Sequence, residues 1–339
     1  MKAQHKPRID LVNRTKLETV IPLSTPFIVF VDPSDRCNFQ CKFCPTGNRE
    51  LMRQTPGRNH GRMDFDAFKK IIKDIKDFPQ KIKVLRLYKD GEPLLNPDFA
   101  KMVAYARDAQ CCERIDTTTN ASLLNKKLIH EIIDGGLSRM NVSIEGMNKQ
   151  QYKKFSGYTI DFAKLVENIT YLYENKKQCE IIIKINGDII SNEDKELFYT
   201  TFGNIADGVS VEHVMSCWPE FNLEGVEVNP DVGIFGQPIQ NIQVCPYVFY
   251  SIAVNADLSV SACFLDWERH LILGNISHQS LGTIWNGPDM QRLRRLMLAR
   301  KRHTHPVCQH CGQMSHGAAD NLDAFADALL PLFEEAYEK

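Results

Sequence analysis

Phe27-Ile28-Val29-Phe30-Val31, and after Asp32-Pro33-Ser34 the segment Asp35-Arg36-Cys37-Asn38-Phe39-Gln40-Cys41-Lys42-Phe43-Cys44-Pro45, is the stretch that decides the fold. The first five residues are a short apolar, β-branched run of the kind that forms a buried strand. The second segment holds three thiols within eight positions. Parallel α/β proteins build their sites on the loops at the carboxyl ends of their strands, so this order predicts a metal site at that edge of a sheet. A structural zinc takes four ligands, and no fourth Cys or His follows within ten residues; His60 is the next downstream. Three thiolates suit a cubane iron–sulfur cluster with one iron left open, and a structural zinc with a distant ligand is the alternative.

Working outward, β-branched runs alternate with segments of helical period from about residue 27 to 214, as repeated β-α units require. Six strands are predicted, at Phe27–Val31, Ile82–Tyr88, Arg114–Thr118, Arg139–Ile144, Glu180–Ile185 and Gly208–His213. Asp64 caps a helix whose Phe65, Phe68, Ile71, Ile72, Ile75 and Phe78 form one apolar stripe, and Asn96-Pro97-Asp98 opens another through Ala109. Met215 to Gln243, rich in Pro, Gly and Asn, reads as a linker. A second unit follows over residues 244–317, with a strand pair at Ile252–Val254 and Ser259–Ala262 and a helix from Asp289 to about Lys301. Residues 1–26 form an N-terminal extension, and Ala318 to Tyr337 carries the pattern of a final amphipathic helix within 318–339.

The chain has 339 residues, is 43% hydrophobic and 24% charged, and carries a formal net charge of -1, so it offers no global field for nucleic acid or an anionic membrane. No apolar run approaches the roughly 20 residues of a membrane span, and Met1 to Arg8 has no signal-like apolar core. The expected location is cytoplasmic. Eleven cysteines, an odd number, point away from a disulfide framework and towards thiolates held for metal or redox chemistry. Seven fall into two groups, Cys37/Cys41/Cys44 and Cys245/Cys263/Cys308/Cys311.

The C-x3-C-x-aromatic-C spacing resembles the signature of the radical S-adenosylmethionine superfamily. That resemblance implies a partial (β/α)6 TIM-type barrel, a [4Fe–4S] cluster on Cys37, Cys41 and Cys44, and S-adenosylmethionine chelated by the open iron. Phe43 would lie near the adenine. Tyr88-Lys89-Asp90-Gly91-Glu92-Pro93 is similar to the family's Gly-Gly-Glu-Pro turn, so Gly91 and Glu92 would meet the methionine ammonium, although Asp90 replaces the first glycine. Asn120 in Thr118-Thr119-Asn120, and Ser143 and Glu145 in Ser143-Ile144-Glu145-Gly146, stand where the family places further cofactor contacts; residues of these types at strand ends also serve as turn formers.

The second cysteine group is a complete set for a tetrahedral metal or a cubane cluster. With Gly274-Asn275-Ile276, Leu281-Gly282-Thr283-Ile284-Trp285-Asn286 and the closing C-x2-C pair, it resembles the SPASM or twitch iron–sulfur domain. The full SPASM pattern has seven cysteines and this chain has four, which implies one auxiliary [4Fe–4S] cluster with every iron held by protein. A zinc ribbon aided by His303, His305, His310 or His316 is the alternative. Arg292, Arg294, Arg295, Arg300, Lys301 and Arg302 read as a solvated basic face.

The resemblance implies reductive cleavage of the cofactor to a 5′-deoxyadenosyl radical, with an external one-electron reductant of flavodoxin or ferredoxin type. The single-cluster layout resembles the butirosin-pathway dehydrogenase branch, which oxidises a cyclitol alcohol, so the expected substrate is a sugar, an aminocyclitol or a similar polar small molecule. Peptide maturation is a second reading, against which stand the few residues before the first strand. Epimerisation is a third, with Cys217 returning a hydrogen atom to the substrate radical; a buried free cysteine is otherwise inert. A non-catalytic electron carrier would need both clusters fully ligated, unlike the three-cysteine loop.

Overall fold

The computed structural model describes residues 1–58, 61–223, 225–226 and 228–334; His60 and Tyr337 lie outside them. Among the described residues there are ten strands: β1 Gln4–His5, β2 Ile28–Val31, β3 Ile82–Leu87, β4 Cys112–Thr119, β5 Arg139–Ile144, β6 Glu180–Asn186, β7 Gly208–Glu212, β8 Ser251–Val254, β9 Ser259–Ser261 and β10 Ile272–Asn275. They form one sheet in the order β1-β7-β6-β5-β4-β3-β2-β8-β9-β10. Pairing is parallel from β1 to β8 and antiparallel through β9 and β10.

The six strands β2 to β7 are those that the alternation predicts, and they build the partial barrel. Helices between them bury one face each. In Phe65–Lys76 the Asp64 side chain accepts from the Asp66 amide, and Phe68, Ile71, Ile72 and Ile75 turn inwards. Lys126–Gly135 begins on the Asn125 side chain and ends at Gly136, whose φ of 96° needs a glycine. Asn192–Phe202 starts with a reciprocal capping box between Ser191 and Asp194.

Four strands lie beyond that count: β8 and β9 are the predicted strand pair of the second unit, and β1 and β10 are additions. The N-terminal extension supplies β1, which pairs with β7 and leads to Arg8, ion-paired with Glu212 at 3.0 Å. Two residues could not announce a strand by periodicity; the unpaired edge of β7 recruits them. At the other edge β8 pairs with β2 from Ile28↔Ser251 to Val31↔Val254, so the second unit continues the barrel sheet. The final helix also differs from expectation. A short 3-10 turn covers Asp323–Phe325 and the helix runs Ala326–Glu334, because the Asp323 carboxylate is taken by the amides of Gln243 and Val244.

The basic stretch is not a uniform solvated face. Arg294, on the helix Pro288–Leu298, is buried, donates from Nε to the Val248 carbonyl at 3.0 Å and stacks 4.0 Å over the Trp285 ring. Its value is packing and one hydrogen bond, and burial pushes its guanidinium down from the ordinary range. Arg294→Met should therefore hold the urea midpoint near wild type, whereas Arg294→Ala, which opens a cavity, should cost about 2 kcal/mol or more.

Candidate active site and metal centres

The loop after β2 is folded by its own backbone and by its neighbours. Cys44 donates to the Cys41 carbonyl at 3.2 Å and Gly47 to the Cys44 carbonyl at 2.9 Å. Gln40 and Lys42 donate to Ser156 and Phe155, while buried Phe39 packs on Tyr158 and Tyr152. A Cβ on Gly47 would come 2.3 Å from the Cys41 carbonyl oxygen, so glycine is required where the loop closes. The thiols of Cys37, Cys41 and Cys44 reach the same cavity. Burial raises all three above the ordinary thiol range, and the Glu92 carboxylate adds to the shift at Cys37. Thiols so placed ionise only with cations among them, as the irons of a cluster provide.

The turn after β3 locks onto this loop. A Cβ on Gly91 would meet the carbonyl oxygens of Arg36 and Ser34 at 2.2 and 2.3 Å, and the Glu92 amide donates to Arg36 at 2.8 Å. The Glu92 carboxylate accepts from Thr119 Oγ1 at 2.6 Å, the Asn120 amide at 2.8 Å and the Leu94 amide at 3.0 Å. Burial nonetheless pushes it up to about 7. The Asn120 side chain donates to Asn38 and reaches the Cys37 sulfur at 4.0 Å.

Asp90, the departure from the glycine pattern, turns away from the loop into a buried ion cluster. It meets Arg269 at 2.7 Å, Lys89 at 2.9 Å and Arg58 at 3.8 Å. Burial opposes its ionisation, yet Arg269, Arg58 and Lys89 outweigh that and hold it well below the usual carboxylate range. Asp32 beside it is pushed up to about 8 by burial and by Asp90. Arg58 and Lys89 also donate to the carbonyls of Trp267 and Asp266, in the loop that follows Cys263.

Cys245, Cys263, Cys308 and Cys311 face a second cavity of about 30 Å³. Burial raises each thiol, that of Cys245 to about 12. Among the described residues no three Cys, His, Asp or Glu side chains converge closely enough to hold a single metal ion. Zinc with bonds of about 2.3 Å would draw its sulfurs to about 3.8 Å, whereas a cubane spreads its ligands over its corners. The histidines stand aside: His305 Nδ1 accepts from the Cys308 amide, His310 pairs with Glu220, and His316 Nδ1 lies 3.4 Å from the Val232 carbonyl.

The first cavity, about 380 Å³, fills the barrel. Its lining includes Phe43, Gly91 and the three thiols, and also Tyr247, Phe264 and Gln313, each one or two residues from an auxiliary cysteine. Cys217 is buried in its wall, with burial pushing its thiol up to about 12, and its carbonyl accepts from the Cys311 thiol at 3.7 Å. A three-thiol loop at the end of the first barrel strand, fastened to a Gly-Glu-Pro turn and sharing a cavity with residues that flank four further thiols, is a particular combination. Residues 31–199 match the family model of the radical SAM superfamily, and residues 245–312 match that of the SPASM iron–sulfur cluster-binding domain.

The chain belongs to the radical SAM superfamily. Its radical SAM and SPASM domains imply S-adenosylmethionine and two [4Fe–4S] clusters as cofactors. It is 36% identical over 125 residues to a probable GTP 3′,8-cyclase of Methanococcus maripaludis, covering 36% of this chain and 37% of that protein. A GTP 3′,8-cyclase of Aliarcobacter butzleri is 32% identical over 161 residues, 46% of this chain and 44% of its own. The chain thus matches less than half the length of these relatives. Among solved structures, BtrN in complex with AdoMet and 2-DOIA gives a TM-score of 0.58 at 17% identity, covering 88% of this chain and 97% of BtrN. Streptococcus suis SuiB bound to S-adenosylmethionine gives 0.63 at 16% identity, covering 82% and 70%. These show a shared fold.

Of the residues singled out in the sequence, the cavity of this radical SAM chain gathers Phe43, Gly91, Glu145, Cys217 and the three loop cysteines. Glu92 and Asn120 stand behind it, holding the loop, and Ser143 is half-buried on β5 outside the lining. Sequence reading passed over Arg8, Arg86, Asp116, Asn141, Lys184 and Glu212, which line the lumen. Polar residues inside apolar strands were their signal, as in Glu180-Ile181-Ile182-Ile183-Lys184-Ile185. Reconstituted Cys41→Ala and Cys263→Ala should each retain about half the iron and sulfide of wild type, the first keeping only the auxiliary cluster and the second only the cofactor-binding one. Equal iron in all three proteins would contradict that ligand division. Gly91→Ala should fail to bind S-adenosylmethionine, read by equilibrium dialysis.

Proposed function

We propose that this enzyme oxidises a polar small molecule of sugar or aminocyclitol type by two electrons. The observation that carries the reading is the shared cavity: one charged lumen touches both the three-cysteine loop and the residues flanking the auxiliary cysteines. When bound, the cofactor and its cluster supply the 5′-deoxyadenosyl radical that removes a hydrogen atom from the substrate. An auxiliary cluster held by Cys245, Cys263, Cys308 and Cys311 would supply the acceptor for the second electron as an alcohol carbon, losing one proton, becomes a carbonyl.

The chain's own residues prepare that chemistry. Cys37, Cys41 and Cys44 would hold the first cluster, with Phe43 beside the adenine and the Gly91-Glu92 turn and Asn120 fixing the loop; Ser143 is the outlying member of this set. Cys245, Cys263, Cys308 and Cys311 would hold the second, and four thiolates leave none of its irons open to substrate. Phe264 stacks on Phe30 at 4.9 Å and touches Tyr247 edge-on at 5.2 Å, an aromatic wall between the lumen and the auxiliary site. A flavodoxin- or ferredoxin-type protein would deliver the first electron.

A second reading takes the reaction on GTP named for the relatives, and its support is their identity over the first part of the chain. The lumen argues against it. Arg8 and Lys184 are ion-paired with Glu212, and Arg14 with Asp320, which leaves little positive charge for a triphosphate. Epimerisation keeps one specific support, the protonated Cys217 thiol in the wall.

The test is anaerobic reconstitution with dithionite and S-adenosylmethionine, followed by measurement of 5′-deoxyadenosine with candidate sugars, GTP or peptides. Wild type should form it and Cys41→Ala should not. A product oxidised by two electrons supports the proposal; solvent deuterium at an inverted carbon, lost in Cys217→Ala, would replace it with epimerisation, and equal yields from wild type and Cys41→Ala would remove the radical reading altogether.

A further inference from the structure

Charge accounting in the lumen singles out one side chain. Five cations line it, and four have acidic partners: Arg8 with Glu212 at 3.0 Å, Lys184 with Glu212 at 3.4 Å, Arg14 with Asp320 at 2.7 Å and Lys89 with Asp90 at 2.9 Å. Arg86 is the fifth. Among the described residues it meets no carboxylate, and its Nε is buried with no hydrogen-bond acceptor. Asp116, its register partner on β4, accepts from Arg114 through Oδ2 at 3.0 Å and forms no ion pair with Arg86 within 4 Å. Arg86 is half-buried, but its Nε, shut off from water with no acceptor, is costly to leave unpaired and calls for a ligand that supplies one.

Its placement suits a substrate better than the cofactor. Arg86 is the penultimate residue of β3, about 3 Å along the strand from its last residue, Leu87, and further back from the Gly91 turn than Tyr88. The Phe30 ring, 5.2 Å from the guanidinium, braces it from one side. Phe30 in turn stacks on Phe264, next to Cys263. The Tyr250 side chain, buried in the same wall, is close enough to Arg86 for the cation to oppose the upward push of burial on its phenol. A planar donor fork with an unanswered Nε, in a lumen wall that also holds a phenol, is matched by a single oxyanion.

We propose that Arg86, in a wall shared with Tyr250, is the docking site for one oxyanion of the substrate, either a carboxylate or a phosphate monoester. This rests on the reading of a polar small-molecule oxidation and narrows it: the substrate is a polyol or aminocyclitol that also bears one acidic group. The anion holds the molecule by one end against the Phe30–Phe264 wall, leaving its hydroxylated carbons towards the three-cysteine loop.

The experiment uses reconstituted holoenzyme with S-adenosylmethionine and no reductant, in low-salt buffer, with inorganic phosphate, acetate and neutral glucose as probes of the thermal midpoint. Phosphate or acetate should raise the midpoint of wild type, glucose should not, and the shift should vanish in Arg86→Gln and persist in part in Arg86→Lys. The stronger of the two anions distinguishes a phosphate monoester from a carboxylate substrate. No shift with either anion, or an equal shift in Arg86→Gln, overturns the proposal. So does a tenfold weaker affinity of Arg86→Gln for S-adenosylmethionine by equilibrium dialysis, which would give Arg86 to the cofactor carboxylate; an affinity within about twofold of wild type is expected. Cluster absorbance and the Arg86→Lys midpoint check that the variants fold. Because no radical forms here, a protein that makes 5′-deoxyadenosine yet shows no anion effect fails this inference alone.

Discussion

The contact of Asp90 with Arg269 joins the two halves of the site. Asp90 belongs to the turn that clamps the three-cysteine loop, and Arg269 to the loop that follows auxiliary Cys263; their charges meet at 2.7 Å with both side chains almost wholly shielded from water. Arg58 and Lys89 cross the same boundary to the Trp267 and Asp266 carbonyls. Removing one member of a buried ionic group leaves the others uncompensated, typically at several kcal/mol, so the arrangement fixes geometry rather than adding net stability. Electron transfer falls steeply with distance, and here the spacing of the two thiol groups is set by a polar lock instead of by apolar packing alone.

That lock also explains a sequence anomaly. Where the motif has glycine, Asp90 looked like a loss of backbone freedom. The steric demand in fact falls on Gly91, whose Cβ would collide with two carbonyls, while the Asp90 side chain leaves the loop entirely and is stabilised by three cations. The departure is therefore compatible with the turn. It couples the turn to the neighbouring unit in a way that a glycine could not.

The sequence was informative where local chemistry is dense or periodic. The spacing of Cys37, Cys41 and Cys44, the Asp64-capped stripe ending near Phe78 and the β-branched runs from Phe27 to Gly208 are local signals, and the structure has those six strands and that helix. What escaped notice is non-local. Gln4–His5 becomes a strand only because β7 offers an edge, and Arg294 leaves a run of basic residues for the core because Trp285 and the Val248 carbonyl meet it there. The charges of the lumen were visible as oddities inside apolar strands, but their pairing depends on which strands become neighbours. Glu212, for example, answers both Arg8 and Lys184, far apart in the chain.

The parallel pairing of β8 with β2 bears on modularity. Ser251 to Val254 are as much a barrel strand as Ile28 to Val31, so the auxiliary unit begins inside the sheet and not after it. An engineer who cut the chain at residue 244 to graft this unit elsewhere would expose a hydrogen-bonding edge on β2 and strip the grafted piece of its own foundation. The auxiliary segment is not an exchangeable cassette: changes of substrate specificity must arise by replacing side chains within the lumen, since the frame around it has no seam at which to be taken apart.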